Sequence, residues 1–255
     1  MDISGLTSDL NELVSILARL RSTDGCPWDR EQTHSSLKRF LLEEAYEVFE
    51  AIDQGVPQRL LEELGDVLLQ VLFHAQIARE AGEFAITDIL TALREKLVRR
   101  HPHVFGGTKV EDARTVKTNW ERQKYREKEN RSIIGHIPTT LPSLARSQLI
   151  QDRASSAGFE WKDIDGVLEK VAEEISEIRE ARSTHRKDEE FGDLLMVLVN
   201  FGRWIGINAE DSLRKANARF TKRFSKMESL AHERSLDFIE LPLGVKESLW
   251  QEAKK

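Results

Sequence analysis

Residues 41–48 read LLEEAYEV, and residues 62–70 read EELGDVLLQ. At about 100° per residue on a helix, Leu37, Phe40, Leu41, Val48 and Ala51 share one face of the first segment. Glu44 and Glu47 lie on that face or at its edge, whereas Glu43, Glu50 and Asp53 fall where solvent is expected. The second segment is apolar on nearly every side, as a buried helix would be. Glu63 and Asp66 interrupt it at i, i+3 spacing and so share a face. Isolated buried carboxylates are very costly, so acids placed this way need a compensating cation.

The arrangement occurs twice. Residues 171–177 read VAEEISE and residues 189–196 read EEFGDLLM. Glu174 and Glu177 sit among Val167, Val171, Ile178 and Ala181; Glu190 and Asp193 precede Leu194, Leu195, Val197 and Leu198. Glu174 follows Glu44 by 130 residues, a spacing that implies duplication of a whole domain and not a solenoid of short units. Each half also carries a basic pair four apart, Lys96 with Arg100 and Arg219 with Arg223, and ends in a Trp, Trp120 or Trp250. Four oxygens from two helices suit a hard divalent ion. Magnesium prefers carboxylates plus substrate phosphates, which points to a nucleotide or another phosphate ester. The bland alternative is a set of salt bridges to Lys or Arg from another helix. Gly65 and Gly192 stand in helix interiors, where Gly costs about 1 kcal/mol relative to Ala; close helix packing behind the carboxylate face is expected there.

Composition agrees with helices. The 255 residues are 40% hydrophobic and 32% charged, with only six Pro. The net charge of -6 gives no reason to expect general binding to nucleic acid or acidic membranes. Cys26 is the single cysteine, so no intrachain disulfide forms and a reducing cytoplasm is expected. The opening MDISGLTSDLNELV has no basic and apolar regions of a secretory signal, and no run of about 18 apolar residues predicts a membrane span.

Helical periodicity predicts helices over 6–21, 35–53, 58–81, 87–100, 114–130, 142–157, 164–182, 187–206, 209–230 and 243–254. Breaks fall at Gly25-Cys26-Pro27, Gly55-Val56-Pro57, Gly82, Pro102 and Pro138 to Pro142, with Thr87, Asp163 and Asp165 as candidate caps. The predicted organisation is an N-terminal domain 1–130, a linker 131–142 and a C-terminal domain 143–255.

These segments together resemble the MazG nucleoside triphosphate pyrophosphohydrolases. The likeness covers nearly the whole chain: GCPWD at 25–29, LLEEAYEV, EELGDVLLQ, RRHPHVFG at 99–106, AGFEW at 157–161, EEISE and EEFGD, KANARFTKRF at 215–224 and LWQEAK at 249–254. The EExxE and ExxD pair alone is shared with dUTP and phosphoribosyl-ATP pyrophosphatases; the duplicated form with CPWD and HPHVF is specific to this family. The resemblance implies an all-α fold of tandem helical domains, with helix-pair bundles completed by dimerisation. It implies metal ligands at Glu174, Glu177, Glu190 and Asp193, and in the first half at Glu44, Glu47, Glu63 and Asp66. Nucleotide contacts fall on Lys170, Arg186, Arg219, Arg223 and Trp250, with Arg186 and Arg219 standing where Lys is common. The implied cofactor is magnesium, with manganese as an alternative, and the implied partners are nucleoside triphosphates and a second copy of the chain.

Lys170 lies one helical turn before Glu174, and the matching first-half residue is Phe40, so the second half is expected to be the principal site. The expected reaction is attack of an activated water on the α-phosphorus. Pyrophosphate then leaves toward Lys170, Arg219 and Arg223, while Glu173 or Glu177 orients or deprotonates the water. Rival readings are a pyrophosphatase for one non-standard nucleotide, a nucleotide-binding regulatory helical module, and a di-iron oxidase suggested by the ExxH at Glu31 and His34. His74, His101, His103 and Cys26 read as structural residues, and the charged run 121–131 reads as a solvated helix face.

Overall fold

The computed structural model describes residues 3–107, 116, 132–135 and 137–254. Among the described residues there are eleven helices and no strand. They are α1 (Ile3–Leu20), α2 (Pro27–Glu31), α3 (Lys38–Gln54), α4 (Pro57–Glu80), α5 (Ile86–Arg100) and α6 (Pro102–Phe105), followed by α7 (Ser143–Ser156), α8 (Ile164–Glu180), α9 (Thr184–Trp204), α10 (Ala209–Glu233) and α11 (Leu243–Ala253). The all-α expectation holds. The predicted helix 114–130, apart from Val116, lies outside the described residues, as do Trp120 and the charged run 121–131.

Local chemistry sets the ends of the site helices. α3 stops at Gly55, whose φ of 66° is left-handed and whose N–H donates to Ala51 O and Ile52 O. α4 restarts at Pro57, tolerated in a first turn where the N–H has no helical partner. Asp163 caps α8 by accepting from Gly166 N at 3.1 Å, and Ser183 caps α9 by accepting from Arg186 N at 3.2 Å. Each such cap is worth about 1 kcal/mol. Thr87 is not a cap: Ala85 precedes α5, and Asp88 accepts from the Ala85 N–H at 2.8 Å.

The chain divides into two compact units, Met1–Lys109 and Val110–Lys255. In the first, α3 pairs with α4, α1 and α5 lie on α4, and the buried core is Leu17, Leu37, Leu72 and Phe73. In the second, α8 pairs with α9, α7 packs on α9 and α10, and α11 packs on α10 around Met227, Ala231, Leu249 and Ala253. The close packing expected behind Gly65 and Gly192 is not found among the described residues. A Cβ at either position would meet no atom within 4 Å. The surface beside them is apolar and exposed, with Leu61, Leu64 and Leu68 in the first unit and Phe191, Leu195 and Leu198 in the second.

Candidate functional site

In the second unit, α8 carries Glu174 and Glu177 one turn apart, and α9 brings Glu190 against them. One carboxylate oxygen of each lies within 4.8 Å of the others. Glu174 and Glu190 are each only 3% exposed, and Glu177 is half-buried. Among the described residues, the cations ion-paired with Glu174 and Glu190 come from their own helices. Lys170 Nζ is 2.8 Å from Glu174 Oε1 and 2.7 Å from Glu173 Oε1, and Arg186 Nη2 is 2.5 Å from Glu190 Oε1. Glu174 Oε2 is buried and has no hydrogen-bond partner among the described residues. Burial pushes the Glu190 carboxyl up; Arg186 opposes this, while the negative charge of Glu177, its hydrogen bond and the charge of Glu174 add to it. Hydrogen bonds to Glu173 and Glu174 raise the Lys170 ammonium, so it stays charged.

The first unit repeats the pattern with differences. Glu44, Glu63 and Asp66 offer oxygens within 4.8 Å of one another; Glu63 is buried, Glu44 half-buried and Asp66 exposed. Glu47 stands outside that tight group, but its hydrogen bond with Glu63 raises its carboxyl. Burial, followed by the charges of Asp66, Glu47, Glu43 and Glu63, raises Glu44. Arg59 Nε lies 3.4 Å from Glu63 Oε1 at i, i+4, the same relation that Arg186 has to Glu190. Phe40, in the place of Lys170, packs edge-on to Trp28 with ring centroids 5.8 Å apart.

Both clusters fit a divalent cation. An octahedral magnesium with oxygens at about 2.1 Å separates its ligands by roughly 3–4 Å, within the spread of these groups. A metal would also satisfy Glu174 Oε2 and offset the burial and the mutual repulsion that raise Glu190 and Glu44.

Asp193 is not in the tight group of three. It lines an adjoining cavity of about 510 Å³ together with Lys170 and Glu174. α7, α9 and residues 159–161 form the walls, which include Ile150, Phe159, Trp161, Met196 and Val197. Glu160 ties this corner together. It accepts from Arg203, from Trp204 Nε1 at 3.1 Å and from the Trp161 N–H at 3.0 Å. Burial pushes its carboxyl up, but hydrogen bonds from Ser155, Arg203 and the Trp161 backbone outweigh this and hold it low. The polar lining residues Gln151, Asn200 and Arg203 were not among the predicted site residues. The available signal was Asn200 within LLMVLVNFG: it follows Asp193 by seven residues, where Phe73 follows Asp66 by seven. Phe73 is 4% exposed and belongs to the solid core of the first unit, against which Phe40 packs.

Arg219, Arg223 and Trp250 are not among the residues lining this cavity. Arg223 sits 5.9 Å over the Trp250 ring, which packs 5.3 Å from Phe220 and is half-buried. Of the other singled-out residues, His34 Nδ1 lies 2.7 Å from His74 Nδ1 with the rings stacked, so His34 of the ExxH is paired with another imidazole. Burial, then the charge of His34, lowers His74. His101 Nδ1 meets Leu97 O at 2.7 Å, consistent with ordering of its loop. The half-buried Cys26 donates its backbone N–H to Leu20 O, just before α2.

A family model described as the MazG nucleotide pyrophosphohydrolase domain matches residues 32–105. The chain is 49% identical over 245 residues to a nucleoside triphosphate pyrophosphohydrolase/pyrophosphatase MazG of Thermotoga maritima, covering 95% of this chain and 94% of that one. It is 41% identical over 257 residues to a nucleoside triphosphate pyrophosphohydrolase of Escherichia coli (strain K12), covering 97% and 98%. A 44% identical match over 247 residues is to the uncharacterized protein YabN of Bacillus subtilis, of which it spans 50%.

Proposed function

The chain belongs to the MazG nucleotide pyrophosphohydrolase family, and on that premise we propose that it hydrolyses nucleoside triphosphates to nucleoside monophosphate and pyrophosphate at the cluster on α8 and α9. The observation that carries the reading is the buried Glu174 Oε2, without a hydrogen-bond partner among the described residues, beside Glu177 and Glu190, on a residue that lines a cavity together with Lys170 and Asp193.

Glu174, Glu177, Glu190 and Asp193 would hold magnesium, or manganese in its place, which supplies positive charge to the triphosphate and acidifies water. Lys170 and Arg186 already sit at the rim of the cluster, within ion-pair distance of Glu174 and Glu190. They exchange those carboxylates for phosphate oxygens and balance the charge that builds on the leaving pyrophosphate. Glu177 or Glu173 orients the attacking water and takes its proton. Water adds to the α-phosphorus, the bond to the bridging α–β oxygen breaks, and pyrophosphate carries that oxygen away. In the first unit Phe40 replaces the Lys170 cation, so that cluster is assigned a weaker or structural role.

A homodimer completes this reading. The exposed apolar flanks of Gly65 and Gly192 leave room for a second helix at close approach, and Arg219, Arg223 and Trp250 contribute to nucleotide binding in that assembly. Among the described residues no helix is long and apolar enough to cross a membrane. The reading places the enzyme in the cytoplasm with its nucleotide substrates.

Incubation with common NTPs and dNTPs in water enriched in oxygen-18, with and without magnesium, tests the chemistry. The expected products are monophosphate carrying the label and unlabelled pyrophosphate. Orthophosphate with a nucleoside diphosphate, or label in pyrophosphate, overturns it. Turnover of one non-standard nucleotide only would narrow the substrate.

A further inference from the structure

We propose that the cavity beside Glu174 holds the nucleoside part of the substrate, and that Gln151 and Asn200 read the edge of its base. This rests on the cluster being the triphosphate site. The cavity of about 510 Å³ is within the range of small-molecule sites, and its lining combines two kinds of residue. Lys170, Glu174 and Asp193 suit metal and phosphates; Ile150, Phe159, Trp161 and Met196 suit the face of a base.

Two polar side chains of the lining are fixed. Gln151 is 7% exposed; its amide nitrogen donates to Met196 O at 2.8 Å and Ser147 Oγ at 3.0 Å. That fixes which end of the amide is oxygen, and Oε1 is buried without a partner. Asn200 is 4% exposed, and its Oδ1 accepts from Arg203 Nε at 3.2 Å and Nη2 at 2.9 Å, leaving the amide N–H groups to donate. Arg203 is itself anchored on Glu160. Both residues line the cavity, Gln151 with an unsatisfied acceptor and Asn200 with amide N–H groups that Arg203 does not engage, the two kinds of function that a nucleobase edge presents in complement. Bare polyphosphate, which carries only acceptors, cannot use the Gln151 oxygen and presents no base face to the apolar lining. In the first unit the place of Asn200 belongs to Phe73, packed in the core, so base reading is confined to the second unit.

Two variants test this. Met196→Trp narrows the cavity from a wall residue that is 43% exposed, and Asn200→Leu removes the donor. Michaelis constants for magnesium complexes of the four NTPs are measured beside the inhibition constant of inorganic triphosphate. Met196→Trp is expected to raise the nucleotide KM about tenfold or more while the triphosphate constant moves less than about twofold. Asn200→Leu is expected to alter the ranking of the four bases. If neither variant moves KM, or if triphosphate weakens in parallel, the assignment is overturned. Should Asn200→Leu fail to fold, Met196→Trp alone decides. If the parent protein turns over no nucleotide, the proposed reaction fails, and calorimetric titration of magnesium–ATP into parent and Met196→Trp still judges the pocket: equal affinities sink it.

Discussion

A Glu174→Gln protein is expected to release pyrophosphate from nucleoside triphosphates about 10³-fold more slowly than the parent, a loss of roughly 4 kcal/mol of transition-state stabilisation. The substitution keeps the shape of the side chain and removes its charge. Glu174 is the most demanding place for that change. It is 3% exposed, one oxygen has no partner, and the other positions Lys170. The amide offers a divalent ion a neutral oxygen in place of an anionic one, and Lys170 loses one of the two carboxylates that hold it at the rim, keeping Glu173. The matching Glu44→Gln is expected to retain most of the parent rate, because its cluster lacks the cation that Lys170 supplies. Steady-state pyrophosphate release from both variants checks this, with circular dichroism confirming that each is folded. Loss of turnover in Glu44→Gln alone would reverse the assignment of the working half.

Saturating magnesium is expected to raise the melting temperature by about 5–10 °C at pH 7.5 and by much less at pH 5. Binding at about 100 times Kd contributes roughly 2.7 kcal/mol, and each kcal/mol shifts a protein of this size by about 2–4 °C. The pH dependence follows from carboxyls whose folded-state values are raised. Burial, with neighbouring acids, raises Glu44 and Glu190, and the Glu63 hydrogen bond raises Glu47. The folded protein holds these protons longer than the unfolded chain, whose value is near 4.5. Without metal, stability therefore falls as pH rises through the raised values. The ion must displace the same protons, so its own binding weakens on acidification. Glu80, Glu160 and Asp211 are held low and act in the opposite sense, but their stabilisation is lost only as pH falls through their depressed values, below the window compared. Differential scanning fluorimetry at the two pH values, with EDTA or magnesium, measures the effect. A magnesium shift of equal size at both would detach it from the carboxylates. EDTA is also expected to abolish turnover, and added magnesium to restore it.

The helices were legible because their apolar residues recur at the helical period, and the carboxylates because they interrupt that face. Prediction of α4 over 58–81 meets an observed Pro57–Glu80. α9 starts at Thr184 and not at 187, because Ser183 supplies a cap that periodicity does not register. The short α2 and α6 were missed: each opens with a proline that reads as a break but is tolerated in a first helical turn. At the site, pattern brought out the acids, since a charge on an apolar face is conspicuous. It did not bring out Gln151 or Asn200, whose meaning depends on α7 and α9 enclosing a common space. Gly65 and Gly192 show the reverse. Their place in helix interiors suggested close helix packing, and among the described residues the space beside them is open.

The substitution of Asn200 for Phe73 has a consequence for how the two repeats resist damage. A filled interior tolerates few changes of volume but rewards packing, whereas a hollow that admits a guest forgoes those contacts until the guest arrives. On the proposed assignment of the working half, the first unit is free to drift toward rigidity as a keel, and the second stays slack enough to admit cargo. Stabilising substitutions sought by design are on that assignment best placed around Leu17, Leu37 and Phe73, where firmness carries no catalytic penalty.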